Sequence, residues 1–242
     1  MIEELRSTKI GCHMGTICLN NLSYTDDIVL LSPSIRGLRK LLAICEHYAG
    51  DHGLKYNVNK TQMMVFHSGT GPERIPLAFL DGEAVARVSL FRYLGHILTE
   101  DLRDNHDIER ERRALAVRCN MLARRFARCS PKARLTLFRA YCQCFYTCQL
   151  WLDSTKNERS SIRVQYNNAF RILMKLPKYC SASSIFANAR VPDYFAVIRS
   201  RVAAFWSRIR DSKNEILRVC YQCPENPILQ YWRAVHRDNN CK

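Results

Sequence analysis

The sequence predicts an α+β protein in which a small antiparallel sheet with one helix precedes an all-α bundle. Short strand-like runs bounded by turn residues occupy residues 1–100. From about residue 103 onward, apolar residues recur at helical spacing and no strand pattern appears. We therefore expect two domains, 1–100 and 101–242, joined near residues 99–103.

A β-hairpin is expected around residues 25–27. A mixed run at 16–24 and a continuously apolar run at 28–31 flank these turn-compatible residues. A helix follows, with Ser34 as its predicted cap and Gly53 at its end. Further strands are predicted at 62–66, 77–80, 84–88 and 91–98, with a turn at Asp81-Gly82.

Four helices are predicted in the second part. Each shows an apolar stripe that recurs at three and four residues, which is the pattern of a helix with one buried face. The first carries Ile108, Leu115, Cys119, Leu122 and Phe126, and the others cover residues 135–152, 162–176 and 195–209.

The charge is divided unequally along the chain. Residues 1–100 carry ten Lys and Arg against ten Asp and Glu, whereas 101–242 carry 27 against 12, which is the whole net charge of +15. A neutral front and a basic back are expected if the front performs chemistry and the back binds a polyanion. A solvated basic face is the alternative. An anionic membrane is a weaker one, because the basic helices also carry apolar core faces.

The sequence indicates an intracellular protein of the nucleus or the cytoplasm. No apolar run is long enough to predict a membrane span, and residues 1–10 lack the apolar stretch of a secretory leader. The twelve cysteines are therefore expected to be reduced rather than to form a disulfide framework. The abrupt start close to Asp26 suggests a truncated reading frame.

Asp26 and Asp27 are the candidate catalytic residues. Adjacent carboxylates repel each other unless water or a cation neutralises them, and a turn lets both point to one place. Carboxylates arranged in this way can hold the two metals that stabilise the attacking and leaving oxygens of phosphoryl transfer. Mg²⁺ prefers such oxygen ligands. The alternative is an ordinary surface turn.

Three segments around these acids resemble a known family. Residues 22–31, Leu-Ser-Tyr-Thr-Asp-Asp-Ile-Val-Leu-Leu, resemble the Tyr-x-Asp-Asp motif of reverse transcriptases. Residues 53–61, Gly-Leu-Lys-Tyr-Asn-Val-Asn-Lys-Thr, are similar to the block after the palm helix in that family. Residues 91–98, Phe-Arg-Tyr-Leu-Gly-His-Ile-Leu, resemble its primer-grip strand. These motifs occur in the order of the family, and the chain most resembles reverse transcriptases of non-LTR (LINE-type) retrotransposons. The resemblance covers residues 11 to about 130 and is weak beyond.

The resemblance implies a C-terminal palm and thumb fragment of an RNA-directed DNA polymerase. Its cofactor would be Mg²⁺ or Mn²⁺, and its partners would be an RNA template, a DNA primer and dNTPs. Asp26 would ligate metal directly, and Asp27 would assist. Tyr24 would pack near the primer end, and Lys60 would lie near the leaving pyrophosphate. Without the resemblance, Lys60 is an ordinary surface lysine after a turn.

The same resemblance implies a primer grip at Tyr93, Leu94 and Gly95. Here the alternative is a plain strand with a bend that glycine permits.

One departure from the family is large. The residues before Tyr24 include Glu3 and Glu4 but no Asp, whereas polymerases of this kind need a further Asp on an earlier strand. The fingers are also missing, so we expect the chain alone to be inactive. A non-enzymatic nucleic-acid-binding module with a vestigial palm is the alternative. A helical interaction protein with a small sheet would not explain why three motifs occur in order.

The first helix of the second part is rich in arginine. In the family that the chain resembles, this position is the thumb, which would track a template–primer duplex through phosphate contacts. The density of arginines on this helix is expected to exceed what salt pairing needs, although a solvated face is the alternative. The residues are Arg110, Arg112, Arg113, Arg118, Arg124, Arg125 and Arg128.

A zinc site is a further candidate at the end of the chain. Cys220, Cys223, His236 and Cys241 follow a zinc-like spacing. The alternative is a chance match in a cysteine-rich chain, with Cys223-Pro224 ending a helix.

Overall fold

The computed structural model describes residues 1–67, 69–70, 74–223 and 225–238, with side chains up to residue 234. Helices and small two-stranded sheets are mixed along the chain, which agrees with the predicted α+β class. The chain divides into two compact units, Met1–Phe91 (unit 1) and Arg92–Lys242 (unit 2). No helix among the described residues is both long enough and apolar enough to cross a bilayer.

Unit 1 contains two helices and short paired strands. Strands β1–β2, β3–β4 and β6–β7 pair antiparallel, whereas β5 and β8 pair in parallel. The elements are α1 (Ile2–Ser7), β1 (Cys12–Met14), β2 (Ile17–Leu19), β3 (Asn21–Tyr24), β4 (Asp27–Leu30), α2 (Ile35–Asp51), β5 (Gln62–Met63), β6 (Phe79–Leu80), β7 (Glu83–Ala84) and β8 (Ala86–Arg87).

Helix α2 organises the core of unit 1. It begins after Ser34, whose hydroxyl accepts a hydrogen bond from the Gly37 amide at 3.1 Å, as a helix cap should. Leu41 and Cys45 on one face pack with Leu5 of α1. The neighbouring Leu42 packs against apolar side chains of β5 and β6. The predicted helix is confirmed, since its apolar residues form the buried face.

Unit 2 is mostly helical. Strand β9 (Leu90–Tyr93) begins two residues before this unit and forms a hairpin with β10 (His96–Thr99). The helices are α3 (Asn105–Arg125), α4 (Pro131–Cys142), α5 (Lys156–Met174), α6 (Ala182–Ala189), α7 (Tyr194–Arg210), α8 (Glu215–Gln222) and α9 (Pro227–Asp238).

Helices α3 and α5 run side by side in the same direction. The Asp104 amide, just before α3, donates to the Asp153 carbonyl at 3.1 Å, just before α5. About four turns further on, the Cys119 thiol donates to the Ala169 carbonyl at 3.3 Å. Since both helices advance about 1.5 Å per residue, their carboxyl ends lie at the same end of unit 2.

An aromatic cluster fills the centre of unit 2. Phe138 of α4 is fully buried and meets Phe170 of α5 edge to face at 4.9 Å. Tyr166 stacks on Phe186 of α6 at 5.3 Å. Ring pairs of this geometry add to the free energy gained from burying apolar area. This cluster explains why the predicted apolar stripes converge.

One predicted helix needs correction. The helix predicted at 135–152 ends at Cys142, and only a 3₁₀ turn, Cys148–Leu150, follows. Thr147 has a φ of 61°, which a helix cannot contain. The predicted domain boundary after residue 100 stays a prediction. The two compact units divide after Phe91, and the β9–β10 hairpin is hydrogen-bonded to α3.

Candidate active site and nucleic-acid interface

The candidate catalytic acids lie where the chain reverses between β3 and β4. Tyr24 pairs with Asp27 across this hairpin, so Thr25 and Asp26 form a two-residue turn. The side chains of Tyr24, Asp26 and Asp27 are exposed, that of Tyr24 to 58%. The predicted hairpin is confirmed, with Asp26 in its turn and Asp27 at the start of β4.

The turn holds Thr25 in the left-handed region. Its φ is 53°, which costs about 1–2 kcal/mol for a residue with a side chain. Hairpins with two-residue turns usually place Gly, Asn or Asp at such positions. The sequence offered no signal for this strain, because threonine prefers extended backbone.

Buried Asn20 anchors the base of the same hairpin. It is 1% exposed, and its side-chain amide donates to the Leu5 carbonyl of α1 at 2.6 Å. Its own carbonyl accepts from the Leu31 amide at 2.8 Å, which extends the ladder by one pair. The Asn21 side chain donates to Asn20 Oδ1 at 2.7 Å. Sequence reasoning missed Asn20, since one asparagine between short apolar runs does not indicate burial.

The two acids suit a hard cation. Mg²⁺ is commonly bound through one or two carboxylates while it keeps waters and takes further oxygens from substrate phosphates. Asp26 and Asp27 are exposed carboxylates on one turn, so their ligand chemistry fits that pattern. In the part of the chain that the structure describes, no group of three or more His, Cys, Asp and Glu residues is placed to hold a metal.

Lys60 ends a 3₁₀ turn, Val58–Lys60, in unit 1. Its amide donates to the Asn57 side chain at 3.2 Å, and its own side chain is exposed. Among the described residues, Lys60 makes no ion pair with Asp26 or Asp27, so its predicted role stays a prediction. An open groove of about 350 Å³ lies beside the turn and is lined by Lys55, Tyr56, Asn57, Val58, Asn59 and Glu83.

Residues 2–98 match the model of a protein family described as "Reverse transcriptase (RNA-dependent DNA polymerase)". The match supports a reverse transcriptase-related polymerase. It spans the acidic turn, Lys60 and the β9–β10 hairpin as far as Leu98, and it ends before α3. No curated protein matches the chain.

The segment that matches the family model ends in the hairpin that carries the candidate primer grip. Tyr93 ends β9, and Leu94 and Gly95 reverse the chain with φ values of 46° and 87°. The Tyr146 hydroxyl donates to the Leu94 carbonyl at 2.8 Å, and a Cβ on Gly95 would lie 3.2 Å from the Tyr146 ring. The single strand predicted at 91–98 is therefore wrong, because two successive positive φ values close a turn.

Asp107 of α3 is hydrogen-bonded to the backbone of this hairpin. Its Oδ1 accepts from the Ile97 amide at 3.0 Å and from Arg110 Nε at 2.7 Å. Its Oδ2 accepts from the Trp151 indole at 2.8 Å and lies 3.1 Å from His96 Nδ1. Burial raises the pKa of Asp107, but hydrogen bonds from His96, Arg110 and Trp151 outweigh burial and hold that pKa well below its usual range.

Asp104 fixes the segment that precedes α5. Its Oδ2 accepts from the Leu152 and Asp153 amides at 2.6 and 2.8 Å. Burial raises its pKa to about 6 despite these two bonds. Sequence reasoning missed this polar cluster, although Asp104, Asp107 and Glu111 recur at three and four residues on one helical face. Acids in register with an apolar stripe are a usable signal of buried charge.

Acids of α3 neutralise more arginines than the sequence analysis expected. Glu109 forms ion pairs with two of them. Glu111, whose residue is 1% exposed, forms ion pairs with two others. The expectation that arginine density exceeds what salt pairing needs is wrong for the four arginines that these acids pair with. The pairs are Arg112–Glu109 at 2.6 Å, Arg113–Glu109 at 2.7 Å, Arg118–Glu111 at 2.5 Å, Arg110–Glu111 at 3.2 Å and Arg110–Asp107 at 2.7 Å.

The other three arginines differ from these. Arg124, Arg125 and Arg128 lie at and just beyond the end of α3, and their side chains are exposed. None of them is in an ion pair within the described part of the chain. They are therefore free to meet an external anion, and their predicted contact with a duplex stays a prediction.

The zinc candidate is only partly visible. Cys220 lies in the last turn of α8, and Cys223 follows that helix and is exposed. Burial raises the pKa of the Cys220 thiol, which disfavours the thiolate that zinc needs. The side chain of His236 and the whole of Cys241 lie outside the described residues, so the zinc site stays a prediction.

Proposed function

We propose that this chain is the palm and thumb part of an RNA-directed DNA polymerase from a non-LTR (LINE-type) retrotransposon. One observation carries the proposal. Two exposed acids sit at a hairpin turn behind an aromatic residue, inside the segment that matches reverse transcriptases. In this view unit 1 supplies the partial palm, and the helices of unit 2 supply a thumb that holds the RNA–DNA duplex.

Each residue of the acidic turn then has a defined task. Asp26, in the turn itself, ligates Mg²⁺ directly, and Asp27 at the start of β4 assists it. When bound, two such ions stabilise the attacking and leaving oxygens during nucleotidyl transfer. Tyr24 presents an exposed ring to the primer end. Lys60 presents an ammonium group that can neutralise the leaving pyrophosphate.

The proposal includes a limit on activity. Two-metal sites use several carboxylates, and Asp26 and Asp27 are the acids that this chain offers at the hairpin. We propose that a further Asp must be supplied before nucleotides can be joined, so the chain alone is inactive. Glu3 and Glu4 lie in α1, whose buried Leu5 packs into the unit 1 core rather than at the turn.

Metal binding at the turn is the direct test. Mn²⁺ should relax NMR signals of residues next to Asp26, and Asp26→Asn should remove that effect. Asp81→Asn is a matched control, because Asp81 is also an exposed acid at a hairpin turn of unit 1. Relaxation that is equal at both turns, or that survives Asp26→Asn, would overturn the catalytic assignment.

Primer extension tests the limit on activity. The purified chain should incorporate no nucleotide on an RNA template with a DNA primer, with either Mg²⁺ or Mn²⁺. Incorporation that Asp26→Ala abolishes would show that the site is already complete.

A non-enzymatic nucleic-acid-binding module is the second candidate. The observation that favours it is the location of the charge, since the whole positive excess lies in residues 101–242 while the acids of the turn have no third acid beside them in the described structure. This candidate expects duplex binding without any effect of Mn²⁺ at Asp26. The NMR experiment therefore separates the two functions.

A further inference from the structure

Six exposed basic residues gather at one end of unit 2, which we call the basic end. Parallel packing places the carboxyl ends of α3 and α5 together. The short connection after α3 brings the start of α4 to the same end, where Arg134 Nη1 donates to the Leu173 carbonyl at 3.0 Å. The basic end consists of Arg124, Arg125, Arg128, Lys132, Lys175 and Lys178, all with exposed side chains.

Acidic residues are missing from the sequence around this end. Residues 112–152 and 159–192 contain no Asp or Glu. The acids of α3 and α5 instead fall in the first halves of these helices, at the opposite end of unit 2. A surface whose charge served only solubility would mix both signs, so the charge of this end indicates an anion-binding surface.

The helix dipoles account for part of this charge but not for all of it. Arg124 and Arg125 lie in the last turn of α3, where a cation is stabilised. Lys132 lies in the first turn of α4, which carries no acid. A cation there opposes the dipole, and that cost is offset when an anion binds at Lys132.

An exposed aromatic ring stands beside these cations. Tyr179 is 89% exposed. It shares the centre of a turn with Lys178, and the turn is closed by the Cys180 amide donating to the Pro177 carbonyl at 3.3 Å. Arg171 of α5 fixes the turn by donating twice to the Cys180 carbonyl, at 3.2 and 2.8 Å. The ring is thus held out in water on an anchored loop.

We propose that the basic end binds single-stranded nucleic acid, with an unpaired base stacked on Tyr179 and the flanking phosphates on Lys132, Lys175 and Lys178. Aromatic rings next to phosphate-binding cations are how proteins hold unpaired strands. The phosphates of a duplex would bind the same cations, but no base would stack on the Tyr179 ring, because the bases of a duplex are already stacked on one another. This inference needs neither the acidic turn nor nucleotide transfer, so it goes beyond the proposed polymerase.

The test compares oligonucleotides that differ in one property. The full chain is titrated by fluorescence anisotropy with an oligoadenylate RNA of about 12 nucleotides, with an abasic strand of the same length and with a duplex. Tyr179→Ala should weaken oligoadenylate binding about five- to tenfold, leave duplex binding unchanged and not affect the abasic strand. Tyr179→Trp should restore binding, which a merely structural role of the tyrosine would not predict.

A charge-matched pair of variants locates the phosphates. Lys132→Gln, Lys175→Gln and Lys178→Gln together should weaken binding of all three probes. The control removes the same charge from exposed residues elsewhere in unit 2, with Arg208→Gln, Lys213→Gln and Arg218→Gln, and should change binding much less. Equal losses from both triple variants, or wild-type oligoadenylate affinity in Tyr179→Ala, would overturn the proposal even if metal binds at Asp26.

Discussion

Asp107 and Trp151 are joined by a hydrogen bond of 2.8 Å from the indole to the carboxylate, across 44 residues of sequence. The same carboxylate accepts from the backbone of the β9–β10 hairpin at Ile97 and has no exposed surface. One acid thus ties α3 to the candidate primer grip and to the segment before α5.

Removing the charge of Asp107 should destabilise unit 2. Asp107→Asn removes a fully buried carboxylate from its pair with Arg110, to which only Glu111 is then left as an acid partner, and removing one partner of a buried pair costs about 3 kcal/mol. All three tryptophans, Trp151, Trp206 and Trp232, lie in unit 2. Urea unfolding followed by tryptophan fluorescence should therefore report a lower midpoint.

The matched control is Asp211→Asn. Asp211 also pairs with an arginine, at 2.9 Å from Arg210, but both side chains are largely exposed. Exposed pairs contribute little to stability, so its midpoint should equal that of the wild type. If both substitutions lowered the midpoint equally, burial of Asp107 would not be the cause.

The stability of unit 2 should depend on pH through Asp104. Burial raises the pKa of this acid from 3.8 to about 6, so the folded chain binds the proton of Asp104 more tightly than the unfolded chain does. Its contribution to stability is full below about pH 4 and is lost as pH rises through 6. Asp107 has a lowered pKa, so its contribution is lost only as pH falls below about 4.

Asp104→Asn isolates this effect. Asparagine keeps an oxygen for the Leu152 and Asp153 amides but cannot ionise. The unfolding free energy of the variant minus that of the wild type should rise by about 2 kcal/mol from about pH 4.5 to about pH 7.5. Urea unfolding at both pH values measures the difference. A difference that stays constant with pH would mean that Asp104 does not titrate in this range.

Relieving the strain at Thr25 should stabilise the acidic hairpin. Asparagine tolerates a positive φ better than a β-branched residue does, so Thr25→Asn should lower the free energy of the folded hairpin by about 1 kcal/mol. Amide hydrogen exchange of Leu22 and Val29, which are a hydrogen-bonded pair of this hairpin, should slow about fivefold. Thr16→Asn, in the neighbouring β1–β2 turn, has no positive φ to relieve and should leave these rates unchanged.

Periodicity predicted the parts of the fold that depend on which residues are apolar. Helix α2 and the buried stripe of α3, from Ile108 to Leu122, follow from apolar spacing. The hairpin at Asp26 followed from turn residues between two strand-like runs. These features are local, so a single stretch of sequence contains their cause.

Tertiary hydrogen bonds decided what periodicity could not. The apolar residues after Cys142 continue a helical pattern, yet Asp104 and Asp107 bind the segment at 151–153 and hold it out of a helix. The turn at Leu94 reads as a strand because its neighbours are apolar, although Tyr146, 52 residues later, clamps it. The sequence around a residue does not indicate a hydrogen-bond partner that lies so far along the chain.

Ion pairing should decide which arginines of α3 act on nucleic acid. Arg113 and Arg125 are both exposed on this helix, but Arg113 is paired with Glu109 at 2.7 Å, whereas Arg125 has no ion pair among the described residues. Each phosphate contact contributes about 0.9 to the slope of log affinity against log salt. Arg125→Gln should therefore reduce the slope for an RNA–DNA duplex by about one, and Arg113→Gln should reduce it by less. Anisotropy titrations over a range of salt concentrations measure both slopes. The two residues lie on the same helix and carry the same charge, so equal slopes for the two variants would mean that the ion pair with Glu109 does not keep Arg113 from binding phosphate. A wild-type affinity that did not change with salt would contradict the thumb role.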